Sequence, residues 1–237
     1  MKVCWLSAGV SSFVAGYLVK ETIDKFAYID IDDQHKDSMR FILDCESVLG
    51  KPIEILKSHY GSVDSACRAF MFLNSAYGAK CTDVLKKRVR KEWQDQYKDF
   101  DLIYVWGFDS TEQKRADRLR DAMPEFSHEF PLIELNVSKA EAHGICKRLG
   151  VLRPAMYDMG YNNNNCIGCI KGGMGYWNKI RVDFPEVFES RAKLERLIGR
   201  SCINGVFLDE LDPKRGRMSD EVIPECGIAC EIAEMEM

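Results

Sequence analysis

The chain contains no run approaching the roughly 18 apolar residues that a membrane-crossing helix needs, so no membrane partner is expected. A basic leader and a small-residue cleavage site are also missing from the opening residues, which run straight into a strand pattern. The expected compartment is therefore cytoplasmic, and a disulfide framework is disfavoured despite ten cysteines. Histidine is scarce: His35, His59, His128 and His143 show no paired ligand spacing and read as structural residues, except that His35 follows Asp30, Asp32 and Asp33 at a strand end. Positive charge is not in excess, with 33 Lys and Arg against 37 Asp and Glu and a net charge of −4, which argues against a general nucleic-acid coat. There is no internal repeat. What is present, 46% hydrophobic and 30% charged residues over 237 positions, describes a folded globular chain.

Strand and helix patterns alternate. Strands are expected at 3–6, 26–31, 53–56, 101–107 and 130–135, and helices at 13–20, 36–49, 63–72, 82–96, 110–121 and 139–149, the last capped by Ser138 and stopped by Gly150. Such alternation predicts an α/β fold with a doubly wound, mostly parallel sheet over residues 1–158, and ligands at the carboxyl ends of its strands. The character then changes. Glycines, cysteines and four consecutive asparagines, Asn162 to Asn165, read as a loop organised around something, followed by a helix at 183–199. Residues 159–237 are expected to form a cysteine-rich C-terminal region on the same core.

Ser7-Ala8-Gly9-Val10-Ser11-Ser12 joins the first strand to the first helix. Small residues let backbone N–H groups approach a phosphate or sulfate, the helix start adds its positive dipole end, and the serine hydroxyls add donors; the same order also builds a plain tight turn. Lys86-Lys87-Arg88-Val89-Arg90-Lys91 reads as a solvated basic face, or, with Trp93 and Tyr97 available for stacking, as an RNA contact. Cys4, Cys45, Cys67, Cys146 and Cys202 read as small buried hydrophobes. Cys166 and Cys169 have the spacing that brings two thiolates to one metal, and a structural zinc held by Cys166, Cys169, Cys226 and Cys230 is one expectation. Tyr176 and Trp177 are expected to pack the cysteine loop.

Several segments, in order, resemble the phosphoadenosine phosphosulfate (PAPS) reductase family, within the adenine nucleotide alpha-hydrolase-like proteins that carry a pyrophosphate loop. They are the Ser7–Ser12 turn, Gly107-Phe108-Asp109-Ser110-Thr111-Glu112-Gln113-Lys114-Arg115, Tyr157-Asp158-Met159-Gly160-Tyr161 with Cys166-Ile167-Gly168-Cys169, and Glu225-Cys226-Gly227-Ile228. The resemblance implies that Ser7, Gly9, Ser11, Ser12 and Gly107 surround the anionic end of an adenine nucleotide, with Asp30 and Asp32 near adenine and ribose. It implies Arg115 as the substrate-facing arginine and Cys226 as the nucleophile on an adenylyl sulfate, with a thioredoxin-like reductant. It further implies a four-iron (4Fe-4S) cluster held by Cys81, Cys166, Cys169 and Cys230, for which zinc is the alternative. Two departures stand out. Ser11 replaces the aspartate that holds magnesium in ATP-using relatives, and Ala229 replaces the histidine after the catalytic cysteine. An ATP-dependent sulfur-transfer or nucleic-acid modification enzyme, and a non-catalytic nucleotide-binding protein, are the other readings.

Overall fold

Val3, Cys4, Trp5 and Leu6 are all buried, as a strand covered on both faces requires. In the computed structural model, which describes residues 1–75, 78–203 and 205–220, they belong to β1 (Lys2–Leu6). Four further strands join it in one sheet: β2 (Lys25–Asp30), β3 (Ile53–Lys57), β4 (Ile103–Val105) and β5 (Ser127–Glu129). They form one parallel sheet in the order β3-β2-β1-β4-β5 with helices on both faces, so the α/β expectation holds. Cys4 stands in register with Phe26 of β2 on one side and Val105 of β4 on the other. All the sheet's carboxyl ends therefore lie along one edge, which carries Ser7, Asp30 and Gly107 immediately beyond β1, at the end of β2 and beyond β4.

The chain divides into two compact units that interleave in sequence. The first, Met1–Asp30, His35–Leu56 and Val89–Asn164, carries the sheet together with α1 (Val10–Leu18), α2 (Asp37–Leu49), α5 (Gln113–Ala122) and α6 (Lys139–Arg148). The second, Ile31–Gln34, Lys57–Arg88 and the chain from Asn165, carries α3 (Val63–Phe70), α7 (Met174–Asp183) and α8 (Pro185–Ile198). A helical run from Lys80, with a π-helical turn at Asp83–Lys87, leads into α4 (Arg88–Asp95). Ser138 caps α6 through a capping box with Glu141, and Gly150 follows at φ 76° in the left-handed conformation that ends a helix without strain.

Three expectations need correction. The last strand is Ser127–Glu129, not 130–135: Pro131 lacks the N–H a ladder uses and instead opens a helical turn, Pro131–Glu134. The helix at 183–199 is preceded by a second one, α7, which begins inside the glycine cluster. Gly175 is there for packing rather than as a breaker, since a Cβ would lie 2.3 Å from the Arg217 carbonyl carbon. Trp93 is 1% exposed and donates its indole N–H to Glu54 at 2.9 Å, so it belongs to the core and not to a nucleic-acid surface.

The first turn of α2 is tied to the segment after α6. Asp37 accepts from Arg40 Nε and Nη2, both at 2.8 Å, and from the Ala155 N–H at 2.9 Å. The hydrogen bond from Arg40 holds the Asp37 carboxyl below its ordinary pKa. A depressed carboxylate stabilises the fold above its unfolded pKa and loses that contribution as the pH falls through the folded value. Asp37→Asn should therefore cost about 1 kcal/mol at pH 7, a difference that closes below about pH 4 when urea denaturation of the two proteins is compared across pH.

Candidate functional site

The turn after β1 is held by its own serines. Ser12 Oγ accepts the Ser7 N–H at 3.0 Å, lies 3.1 Å from Ser7 Oγ and donates to the Gly9 carbonyl at 2.9 Å. Ala8 takes φ 58°, the left-handed region uncommon for a residue with a side chain, which turns its carbonyl away from the helix. That carbonyl accepts from Asn164 Nδ2 at 2.9 Å; the same NH2 reaches Ser38 Oγ at 2.9 Å. Asn164 Oδ1 is buried and has no hydrogen-bond partner, leaving an unspent acceptor beside the turn.

Gly9 is the extended residue before α1, and no side chain caps the helix. The Val10 N–H donates to Tyr157 Oη at 3.4 Å and the Phe13 N–H to the Gly9 carbonyl at 3.3 Å. Between them, the Ser11 and Ser12 N–H groups have no backbone or side-chain acceptor among the described residues, so this helix start keeps two donors for an anion. Gly107, just beyond β4, lies against the turn: a Cβ there would stand 2.3 Å from Ser12 Cα and 2.4 Å from Ser12 N. Only hydrogen fits. The structure thus brings Ser7, Gly9, Ser11, Ser12 and Gly107 together, and adds Tyr157, Asn164 and Ser38. Tyr157 was legible in its motif. Asn164 was hidden in a run of four asparagines, and Ser38 in an ordinary helix.

Arg115 lies in the first turn of α5, with its guanidinium 4.3 Å from the centre of the Phe108 ring and Nη1 2.6 Å from Glu112 Oε1. Through Phe108 it belongs to the same strand-end turn as Gly107. Asp30 ends β2 and is half-buried. His35, two residues before α2, accepts the Asp37 N–H through Nδ1 at 3.2 Å.

The second unit is organised around a buried ion pair that the sequence did not single out. Arg191, 3% exposed, bonds Asp33 Oδ1 through Nη2 and the Gly168 carbonyl through Nε at 3.3 Å. Burial pulls the guanidinium pKa down, but the Asp33 charge outweighs it and the group ends above its ordinary value. Asp33 also accepts the Val63 N–H at 2.6 Å, at the start of α3, and its carbonyl accepts the Ile167 N–H at 2.8 Å. One aspartate thus orients the strand-end turn, α3 and the Cys166–Cys169 loop. Removing one partner of such a pair typically costs about 3–5 kcal/mol. Asp32 points its carboxylate to Lys57, with Nζ at 2.5 Å.

Tyr176 Oη donates to the Cys166 carbonyl at 3.1 Å and accepts the Cys169 N–H at 2.9 Å, clasping the loop from within as expected. Gly168, at φ 69°, lets the loop turn between the two cysteines. Cys81, Cys166 and Cys169 are all buried, but among the described residues no three His, Cys, Asp or Glu side chains stand close enough to share a metal ion. Cys226 and Cys230 lie outside the described residues. Burial raises the thiol pKa of Cys4, Cys45, Cys67, Cys146 and Cys202, that of Cys67 to about 12 and that of Cys146 to about 11, so these five are unreactive packing groups as read from the sequence.

Gly107→Ala must push the β4 turn and the Ser11–Ser12 backbone apart. The expected result is a loss of about 1–3 kcal/mol by calorimetry; an alanine variant of wild-type stability would contradict the contact.

No family model and no curated protein matches the chain. Among solved structures it is similar to phosphoadenylyl-sulfate (PAPS) reductase from Candida auris in a phosphate complex, with 13% identity, a TM-score of 0.49, and coverage of 70% of this chain and 80% of that one. It is also similar to NMN synthetase from Francisella tularensis, with 16% identity, a TM-score of 0.40, and coverage of 89% and 81%.

Proposed function

We propose that the Ser7–Ser12 turn holds the anionic end of an adenine nucleotide and that the chain acts on an adenylyl sulfate. The observation that carries this reading is the pair of unspent N–H groups of Ser11 and Ser12 at the start of α1, pinned by Gly107 and flanked by the Ser7 and Ser12 hydroxyls. The turn holds no carboxylate that could bind magnesium, which favours a sulfate-bearing ligand over a magnesium–ATP complex. Asp30 and Asp32 are proposed to face adenine and ribose, and Arg115 the charge on the leaving group.

In this reaction the Cys226 thiolate attacks the sulfur of the adenylyl sulfate. The S–O bond to the phosphate breaks, the adenine nucleotide leaves with the electron pair, and a cysteine S-sulfonate forms. A thiolate of a thioredoxin-like dithiol then attacks Cys226 Sγ; sulfite leaves with the electron pair, and the dithiol closes the resulting mixed disulfide and carries away the oxidation. The Ser11 and Ser12 N–H groups hold the anion in place, and Arg115 stabilises charge as the S–O bond lengthens. The steps above run through no iron-sulfur cluster, and Cys230, one of its four proposed ligands, lies outside the described residues. A metal completed by Cys226 and Cys230 would remove Cys226 from the chemistry.

Sulfite release from adenylyl sulfate in the presence of a reduced thioredoxin tests the proposal. Release by the wild-type chain that falls to background in Cys226→Ser is the expected result. Pyrophosphate release from ATP would favour the modification-enzyme reading, and tight nucleotide binding without turnover, or zinc bound through Cys226, would end the reductase reading.

A further inference from the structure

A cavity of about 720 Å³ that no residue of the Ser7–Ser12 turn lines opens in the first unit, between the first turn of α2, the second half of α6 and the segment from Val151 to Asp158. Its walls are fixed. Arg40 uses its Nη1 on Asp44 and the Leu152 carbonyl and its Nη2 on Asp37 and the Arg153 carbonyl, clamping the connecting segment onto α2. Cys146, 1% exposed, and Val151, 4% exposed, supply an apolar floor.

Gly144 lies in the interior of α6 and lines this cavity. Glycine there costs about 1 kcal/mol relative to alanine, and nothing in the packing requires it. Its backbone is not left-handed, and a Cβ would meet only the end of the flexible Arg148 side chain, at 3.4 Å. The missing side chain keeps the cavity open. Arg40 and Arg153 are engaged with Asp37 and Asp158, whereas Lys147 has no ion pair among the described residues. His143 turns a buried Nδ1 toward no partner, its ring held edge-on to Tyr157 with centroids 4.7 Å apart.

We infer that this cavity is a second binding site, one that takes a small organic anion: an apolar body on the Cys146 and Val151 floor, and a carboxylate or phosphate head at Lys147. Its volume lies in the range of small-molecule sites, and an apolar floor beside a cationic side chain suits an anion with an apolar body. The site shares no lining residue with the proposed nucleotide turn, and it does not depend on the reaction assigned there.

Fluorescence titration with 8-anilinonaphthalene-1-sulfonate, an aromatic anion of suitable chemistry, tests the inference on the full chain. Saturable one-to-one binding is expected. Gly144→Leu, which fills the space, should abolish it, and Lys147→Glu should weaken it at least tenfold, while adenylyl sulfate or ATP should not displace the probe. Displacement by phenyl phosphate but not benzoate would mark a phosphate head, and the reverse a carboxylate; displacement by neither contradicts the inference. Gly144→Ala, which adds only a methyl group, should raise the melting temperature, confirming that the glycine is not needed by the helix. Undiminished binding in both Gly144→Leu and Lys147→Glu, or no saturable binding to the wild type, overturns the inference. Should Gly144→Leu lose its helical circular dichroism, Lys147→Glu alone decides.

Discussion

The close approach of Gly107 to the backbone of Ser11 and Ser12 is the contact on which the candidate site depends. A carbon at the Gly107 Cβ position would lie 2.3 Å from Ser12 Cα, so the end of β4 and the start of α1 can meet only through a glycine. This contact fixes where the helix begins relative to the sheet edge. With that position fixed, Ser12 folds back on Ser7, Asn164 holds the Ala8 carbonyl, and Tyr157 takes the first helix N–H. Two donors remain for a ligand, at the carboxyl edge where an α/β sheet of this kind places its chemistry. The strained φ of Ala8 fits that account, since an uncommon backbone angle persists where its surroundings over-determine it.

The second unit follows a different logic. Its cysteine loop is organised by charge and by a phenol: Arg191 holds Gly168 and Asp33, Asp33 holds Ile167 and the start of α3, and Tyr176 closes the turn between Cys166 and Cys169. Glu195, fully buried on α8, accepts the N–H groups of Cys202 and Leu208 and so fixes the chain that follows. Burial raises the Glu195 pKa above its ordinary value although both backbone donors oppose the shift. Buried ionic groups of this kind cost desolvation energy and, once paired, tolerate few alternatives.

Much of this was legible in the chain. The first four strands, the Ser138 cap and the small-residue turn announce themselves through apolar runs, a serine before an acidic residue, and glycine beside serine. What escaped was whatever depends on residues distant in sequence. Asp33 and Arg191 are separated by 158 positions, and neither stands in a motif. Asn164 differs from its three asparagine neighbours only in where its amide points. The helix at Met174–Asp183 was masked because Gly175 signals a break, whereas its role is to admit the Arg217 backbone. Trp93 suggested stacking by its type, but the fold uses it as core. The cysteines were legible as packing groups where burial decides their fate; Cys226 and Cys230, to which the resemblance assigns a nucleophile and a cluster ligand, fall outside the described residues.

The central claim is that the start of α1 receives the anion of an adenine nucleotide. A crystal structure of the chain with adenylyl sulfate tests it most directly. The account predicts phosphate or sulfate oxygens at hydrogen-bond distance, about 2.7–3.2 Å, from the Ser11 and Ser12 N–H groups, with Gly107 in contact beneath. A nucleotide bound elsewhere, or one whose anionic end leaves those two N–H groups unoccupied, would contradict it.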